Sequence, residues 1–80
     1  MKVEVRLFAT LAAYLPAGAT GDSAALDVPE GTTVVEVIRS LEIPSELEYL
    51  TVVNGRDASP EHQLAHGDVV SLFPPLAGGA

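Results

Sequence analysis

The stretch TVVEVIRSL, residues 33–41, lies in the middle of the chain and decides its architecture. Thr33 and Glu36 have the spacing of a capping box, in which the hydroxyl accepts from the third helical amide and the carboxylate accepts from the cap amide. Apolar side chains then recur at i, i+3, i+4 and i+7, and these are Val34, Val37, Ile38 and Leu41. The pattern predicts a helix that begins after Thr33, ends before Pro44 and packs one stripe against a sheet.

Strand patterns lie on both sides of this helix. Residues 2–7, KVEVRL, alternate strictly between polar and apolar, and residues 26–28 continue the alternation in a second strand that pairs with the first. After the helix, residues 50–53, LTVV, predict a buried strand that ends at the turn Asn54-Gly55, and residues 69–73 predict the last strand. This order predicts an α+β fold, with one mixed sheet and a helix packed on one face.

Three shorter segments carry weaker signals. Residues 9–15 predict a short helix that ends before the next proline, and residues 45–48 predict a single helical turn. His62 and His66 are four residues apart, and on a helix this spacing would aim two imidazoles at one metal ion. Because their segment is short and begins with Ser59-Pro60, we interpret it as a surface turn and expect no metal site.

The composition is that of one globular domain. Apolar residues make up 48% of the 80-residue chain and charged residues 19%, so a core can form. The chain has no cysteine, which excludes disulfides and thiolate metal sites. A net charge of -7 disfavours phosphate backbones and anionic lipids, so we expect neither nucleic acid nor a membrane as partner. Without a signal-peptide pattern or an apolar run of membrane-spanning length, the expected location is the cytoplasm.

The last residues, LFPPLAGGA at positions 72–80, lead from a strand pattern through two prolines to a glycine pair. Prolines favour a stiff, extended segment, and glycines let a narrow channel close around the backbone. One interpretation is an arm that inserts into a partner, and the other is a frayed end. We expect a folded domain over residues 1–74 and a flexible tail over residues 75–80. Because strand residues alternate, one of Leu72 and Phe73 is expected to face outward.

The order of elements resembles the ubiquitin-like β-grasp fold, and several motifs resemble the MoaD/ThiS family of β-grasp sulfur carriers. Residues 5–9 (VRLFA), 53–55 (VNG) and 66–70 (HGDVV) look like family positions. The most specific part is FPPLAGG, residues 73–79, placed after a Gly-Asp turn. This ending is most similar to the small subunit of molybdopterin synthase, and the resemblance covers nearly the whole chain.

The resemblance implies a carrier whose C-terminal glycine is adenylated and then converted to a thiocarboxylate. At the matching position of this sequence, Gly79 would carry the reacting carbonyl. Apart from the resemblance, an outward Phe73 beside the tail would be a partner-docking residue, and the alternative is that both ends of the sheet are covered. The segment inserted into a partner would be Pro75, Leu76, Ala77 and Gly78. The chain itself would bind no cofactor, because ATP and a zinc ion would belong to the activating partner.

The resemblance also implies the partners, which are an E1-like adenylyltransferase and the large subunit of molybdopterin synthase. Ala80 departs from the pattern, since active carriers of the family end at the second glycine. One further residue moves the terminal carboxylate by about 3.3–3.6 Å along an extended chain. A JAMM-type metalloprotease that removes Ala80 is therefore a third expected partner, unless the activating enzyme has a roomier channel.

Three classes of function stay open at this point. The first is the small subunit of molybdopterin synthase, which the Pro-Pro ending favours. The second is a sulfur carrier for another pathway, such as thiazole, cysteine, siderophore or tRNA thiolation. The third is a ubiquitin-like modifier joined to lysines, or an interaction module whose tail never reacts.

Overall fold

The structure is a computed structural model, and it describes residues 1–44 and 46–74. Five strands and two helical segments follow one another along the chain. In chain order they are β1 (Lys2–Leu7), a 3₁₀ helix (Ala9–Tyr14), β2 (Ser23–Asp27), α1 (Val34–Ser40), β3 (Leu50–Val53), β4 (Arg56–Asp57) and β5 (Val69–Phe73).

The five strands form one sheet in the order β2-β1-β5-β3-β4. β1 and β5 are parallel neighbours, and the other three pairings are antiparallel. The mixed sheet predicted from the sequence is therefore confirmed, and so is the pairing of the first two strands. Because β1 and β5 are parallel, both strands end at the same edge of the sheet.

The helix α1 forms where the capping box predicts it. The amide of Thr33 donates to Glu36 Oε1 over 2.9 Å, and the amide of Glu36 donates to Thr33 Oγ1 over 3.4 Å. The predicted apolar stripe is buried, with Val34 fully enclosed. Leu41 caps the carboxyl end, since its amide donates to Ile38 O over 3.1 Å.

A single core lies between this helix and one face of the sheet. Its buried members are Val3, Val5, Leu7, Leu11, Val34, Val37, Ile38, Leu41, Val53, Leu64, Val70 and Leu72. Full burial of one such side chain stabilises the fold by about 1.5–3 kcal/mol. Tyr14 and Tyr49 pack against the edge of this core and are partly buried. The sheet therefore has one covered face and one outer face.

Three details differ from the sequence-based predictions. The first helix is a 3₁₀ helix over Ala9–Tyr14, and the second strand begins earlier, at Ser23. β4 was not predicted, because two polar residues carry no periodicity, and it forms because the turn after Val53 folds the chain back on β3. The turn predicted at 45–48 begins at Ser45, which lies outside the described residues, and the amide of Leu47 closes a simple turn on Pro44 O.

Neither helical segment within residues 1–44 and 46–74 has the length and hydropathy needed to cross a membrane.

Candidate functional site

The candidate site lies at the edge of the sheet where β1 and β5 end, which we call the tail end. Leu7 is paired with Leu72 across these two strands, so the residues that follow each strand emerge side by side. On the other flank of β5, Phe73 is paired with Leu50 at the start of β3. The topology thus brings the ends of two strands and the start of a third to the point where the chain continues into residues 75–80.

Strand alternation separates the side chains of Leu72 and Phe73 at this edge. Leu72 is 0% exposed and belongs to the core, whereas Phe73 is 37% exposed. The prediction that one of these two residues faces outward is confirmed, and the outward residue is Phe73. Because neighbouring strand residues point to opposite faces, the outer face receives Phe73 as the direct consequence of burying Leu72.

The ring of Phe73 is stacked on the ring of Phe8. Their centroids are 4.7 Å apart and their planes differ by 5°. The amide of Phe8 also donates to Leu72 O over 3.3 Å, which ties the end of β1 to the end of β5. An aromatic pair contributes about 0.5–1.5 kcal/mol beyond its burial, so the two rings restrain each other while remaining accessible.

Leu50 extends this apolar surface. It is directly opposite Phe73 in the β3–β5 ladder, and it is 57% exposed. Residues that oppose each other in an antiparallel pair share one face of the sheet. Phe8, Leu50 and Phe73 therefore form a partly exposed apolar patch, and we use this name for these three residues below. An exposed apolar cluster beside the end of β5 makes this surface a candidate for interaction with a partner.

Charged side chains occupy the outer face of β1 beside the apolar patch. Arg6 and Glu4 alternate with buried residues and point away from the core, and Arg6 Nε donates to Glu4 Oε2. The hydrogen bond to Glu4 raises the pKa of Arg6 above its ordinary value, and the attraction between the two charges adds to the effect. Arg6 is paired with Ser71 on β5, and these two residues precede Phe8 and Phe73 by two positions. The outer face of the sheet is therefore polar directly beside the apolar patch.

Sequence reasoning identified one of the three patch residues. Phe73 was predicted as a docking residue, and it lies in the apolar patch. Phe8 was missed, although the outward alternation of Lys2, Glu4 and Arg6 extends to it with a period of two. The prediction of a wholly buried third strand was wrong at Leu50, because α1 covers only one face of the sheet.

The remaining predicted site residues cannot be placed in the same way. Pro75, Leu76, Ala77, Gly78 and Gly79 lie outside the described residues, as does Ala80. Their roles stay predictions from the sequence. What the structure supplies is the position of the last described residue, Pro74, immediately after the apolar patch.

At the opposite end of β5, where this strand begins, Asn54 and Asp68 form a hydrogen-bonded cluster. We call this pair the polar clamp. Asn54 Nδ2 donates to Asp68 Oδ1 over 2.9 Å, and the amide of Ala65 donates to Asp68 Oδ2 over 2.8 Å. Asn54 Oδ1 accepts from the amide of Val69 over 2.9 Å. The Ala65 amide and then Asn54 lower the pKa of Asp68 below its ordinary value, because both donate to the charged form.

The two histidines near the clamp do not lie on a helix, so the two-imidazole helical arrangement does not form. His66 Nδ1 accepts from the amide of Lys2 over 3.0 Å, and His62 closes a turn by donating its amide to Ser59 O over 3.1 Å. Within residues 1–44 and 46–74, no group of three or more His, Asp and Glu side chains is arranged to hold a metal ion.

Comparison with known proteins agrees with this geometry. The sequence model of the ThiS family matches residues 5–79. The structure is similar to SAMP1 from Haloferax volcanii, with a TM-score of 0.77 and 27% identity over 99% of this chain and 100% of that chain. No curated protein matches the chain.

Two further structures share the fold. A protein assigned as subunit 1 of molybdopterin converting factor from Pyrococcus furiosus is 31% identical, with a TM-score of 0.76 over 94% of this chain and 98% of that chain. Subunit 1 of Molybdopterin-converting factor from Helicobacter pylori, solved together with subunit 2, is 24% identical, with a TM-score of 0.62 over 99% and 100% of the two chains. With a family match that runs from β1 to the glycine pair and a shared ubiquitin-like β-grasp fold, the chain belongs to the ThiS family of ubiquitin-like sulfur carriers and modifiers.

Proposed function

We propose that this chain is a sulfur carrier that works as the small subunit of molybdopterin synthase. Its Gly79 is adenylated, converted to a thiocarboxylate and delivered into the active site of a larger subunit. The observation that carries the proposal is the place where β5 ends. Phe73, in the apolar patch, is separated from the glycine pair only by residues 74–77, so a partner that docks on the patch lies next to the reactive end.

The chemistry explains why such a carrier needs an activating partner. A carboxylate is a poor electrophile, and hydroxide is a poor leaving group. In an acyl adenylate the leaving group is AMP, so a sulfur donor can attack the carbonyl carbon of Gly79 and leave a thiocarboxylate there. We assign ATP, the zinc ion and the catalytic side chains to an E1-like adenylyltransferase, with this chain as its tethered substrate.

The apolar patch serves in this proposal as the docking surface for both partners. Three partly exposed apolar side chains lose water when a partner covers them. Aromatic residues that a partner buries, as it would bury Phe73, are the type that dominates interface energetics. The net charge of -7 favours partners with a basic surface around the contact, since opposite potentials steer association. The Helicobacter pylori subunit 1 is found with subunit 2, so the same fold is compatible with a larger partner.

Ala80 requires an additional step in the proposal. A residue after Gly79 moves the terminal carboxylate by about 3.3–3.6 Å. A misplacement of about 1 Å can lower the rate of a positioned reaction about a hundredfold. We therefore propose that a JAMM-type metalloprotease cleaves the bond between Gly79 and Ala80 before activation, and that all of these steps take place in the cytoplasm.

The test is a reconstitution with the cognate E1-like enzyme, ATP and sulfide, read by intact mass. A chain that ends at Gly79 is expected to exchange one oxygen for sulfur, whereas the full chain is expected to stay unmodified until the protease is added. Gly79→Pro in the shortened chain is the matched control, because it retains the length and places a ring at the reacting residue. A thiocarboxylate on the Gly79→Pro chain would contradict the assignment of Gly79.

The pathway is tested separately with the large subunit of molybdopterin synthase. The thiocarboxylated chain is expected to bind this subunit and to convert the precursor into molybdopterin in a single turnover. A thiocarboxylate that forms normally but is not consumed by the large subunit would contradict the molybdopterin role and would favour a carrier for another pathway.

A modifier is the second candidate, and a specific similarity favours it. The chain is 27% identical to small archaeal modifier protein 1 of Haloferax volcanii, with a TM-score of 0.74 over 94% of this chain and 98% of that chain. A modifier needs the same activation, but the acyl group ends on an amine in an isopeptide bond. Isopeptide-linked conjugates without any thiocarboxylate in the same cells would favour the modifier over the carrier.

A further inference from the structure

Three residues other than glycine have a left-handed backbone among residues 1–44 and 46–74, and these are Ala9, Glu42 and Asn54. Two of them have a common structural reason. Asn54 precedes Gly55 in the tight turn between β3 and β4, and Glu42 follows Leu41 at the carboxyl end of α1, where left-handed residues often end a helix. Ala9 occupies neither kind of position, so the cause of its conformation lies in its surroundings.

The backbone of Ala9 is strained. Its φ is 54°, and at this angle the Cβ of an alanine lies too close to a backbone carbonyl oxygen. The side chain is exposed, so burial of the methyl group does not offset the strain. The residues on either side of Ala9 must therefore impose its conformation, and such imposed strain is typical of functional sites.

The neighbours of Ala9 are held on opposite sides of the sheet. Leu7 and Leu11 are buried in the core, whereas Phe8 belongs to the apolar patch on the outer face. Phe8 is extended, with φ −108° and ψ 155°, so it continues the direction of β1. The chain has two residues in which to return to the core before Leu11. The left-handed Ala9 makes this return directly after Phe8.

Hydrogen bonds connect the turn at Ala9 to the position of Phe8. The amide of Phe8 donates to Leu72 O over 3.3 Å, and its carbonyl oxygen accepts from the amide of Leu11 over 3.0 Å. The second of these bonds spans Ala9, so a different φ at residue 9 breaks it. Because Leu11 is buried and Phe8 is partly exposed, Phe8 is the residue that moves at the smaller cost. Its ring then leaves Phe73.

We propose that Ala9 is a positioning residue of the docking surface, because its left-handed backbone holds the Phe8 ring on Phe73 in the arrangement that a partner covers. This role depends on the proposed function in one respect, since it takes the apolar patch to be the surface on which the activating enzyme docks. It requires no reaction of the tail. Residue 9 supplies a conformation, so residues that adopt a positive φ retain docking, and residues that avoid it weaken docking.

Substitutions at Ala9 and Ala13 form a matched set, because Ala13 is exposed in the same 3₁₀ helix and has an ordinary backbone. Ala9→Gly is expected to raise Tm by about 4–8 °C, since glycine adopts a positive φ without strain. Ala13→Gly is expected to lower Tm, because glycine there only adds freedom to the unfolded chain. A lower Tm for Ala9→Gly would overturn the strain at residue 9.

The opposite change at residue 9 is Ala9→Val, because β-branched residues avoid a positive φ. Each variant of the set is made in a chain that also carries Glu42→Gly. Glycine relieves the left-handed position at the end of α1, and this gain keeps Ala9→Val folded. The reference for every comparison is the chain with Glu42→Gly alone, so the lost charge is the same throughout.

The position of the Phe8 ring is measured in the free protein by NMR. The chain has two phenylalanines, so nuclear Overhauser effects between phenyl rings report the stack of Phe8 on Phe73 directly. Ala9→Val is expected to lose these effects while the signals of the core stay dispersed. Ala9→Gly and Ala13→Val are expected to keep them. Ring contacts that persist in Ala9→Val would overturn the positioning role.

Docking is measured by calorimetry with the cognate E1-like enzyme in the absence of ATP, so that the tail does not react. Ala9→Val is expected to raise Kd about tenfold, because the displaced Phe8 ring no longer completes the surface. Ala9→Gly and Ala13→Val are expected to leave Kd unchanged. The same Kd for Ala9→Val and Ala13→Val would overturn the role of Ala9 in docking.

Phe73→Ala in the same assay separates this role from the proposed function. Weaker binding of both Phe73→Ala and Ala9→Val, with normal binding of Ala9→Gly, supports the docking surface and the role of Ala9. Weaker binding of Phe73→Ala alone leaves the docking surface standing and overturns the role of Ala9. Unchanged binding of Phe73→Ala contradicts the docking surface itself, and with it any role of Ala9 through the stacked rings.

Discussion

The two ends of strand β5 are built in opposite ways. Where β5 begins, Asn54 and Asp68 satisfy each other and the neighbouring amides with hydrogen bonds of 2.8–2.9 Å. Where β5 ends, Phe8, Leu50 and Phe73 leave apolar surface accessible. The polar clamp is complete within the chain, whereas the apolar patch gains its full burial only from a partner. One strand thus connects an edge that serves stability with an edge that serves recognition.

The largest expected difference lies between two neighbouring residues of β5. Leu72→Ala is expected to lower the free energy of unfolding by about 2–5 kcal/mol, because it removes a fully buried side chain and leaves a cavity. Phe73→Ala is expected to cost about 1 kcal/mol, since its partly exposed ring loses mainly the stacking on Phe8. Urea denaturation measures both values. Equal losses for the two variants would contradict the division of β5 between core and patch.

The next prediction concerns recognition at the apolar patch. Phe73→Ala is expected to weaken binding of the activating enzyme by about 2 kcal/mol, close to thirtyfold in Kd, because a truncated aromatic anchor leaves a hole at the interface. Calorimetry measures the change. Ala25→Ser, on the exposed part of edge strand β2, is the matched control and is expected to leave Kd unchanged. Unaltered affinity of the Phe73 variant would show that the patch is not the docking surface.

At the other end of β5, the variant Asn54→Gly breaks the polar clamp. Asn54 has a φ of 52°, and glycine adopts this conformation without strain, so the variant removes the side-chain hydrogen bonds without straining the turn. The loss of two bonds is expected to lower the free energy of unfolding by about 1–2 kcal/mol. Partner affinity is expected to be unchanged. Asp57→Asn is the control, because it changes an exposed residue of the same hairpin outside the clamp. It is expected to alter the free energy of unfolding by less than about 0.5 kcal/mol.

The smallest expected effect is the pH dependence of the same clamp. Asp68 has a lowered pKa in the folded state, so its contribution to stability is present above the unfolded carboxyl value of about 3.9. The contribution is lost as the pH falls through the lower folded value. The difference in unfolding free energy between the wild-type chain and Asp68→Asn should therefore be constant near neutral pH and shrink in acid. A difference that is the same at all pH values would mean that the charge of Asp68 plays no part.

Much of the fold could be predicted because its main elements have strong periodicity. The capping box at Thr33, the apolar stripe of α1 and the alternation of β1 each point to one structure, and each formed as expected. The two-residue strand β4 has no periodicity of its own and exists only because a turn pairs it with β3. The early start of β2 is similar, since Ser23–Asp27 contains small residues that give a weak pattern.

The candidate site was less predictable, because it depends on which strands become neighbours. Alternation predicted that one of Leu72 and Phe73 faces outward, but the stacking partner Phe8 and the cross-strand neighbour Leu50 come from distant parts of the sequence. The order of strands in a sheet is set by long-range packing, which local patterns do not encode. The sequence could show that the tail follows a strand end with one outward apolar residue, but not which residue it is or that it belongs to a patch.

The measurement that tests the central claim most directly is the intact mass of the protein isolated from its native cells under mild, non-reducing conditions. The account predicts a species that has lost Ala80 and exchanged one oxygen for sulfur at Gly79. A full-length, unmodified mass as the only species, unchanged after incubation with the protease, the activating enzyme, ATP and sulfide, would contradict the claim that the edge beside the apolar patch carries the reactive end.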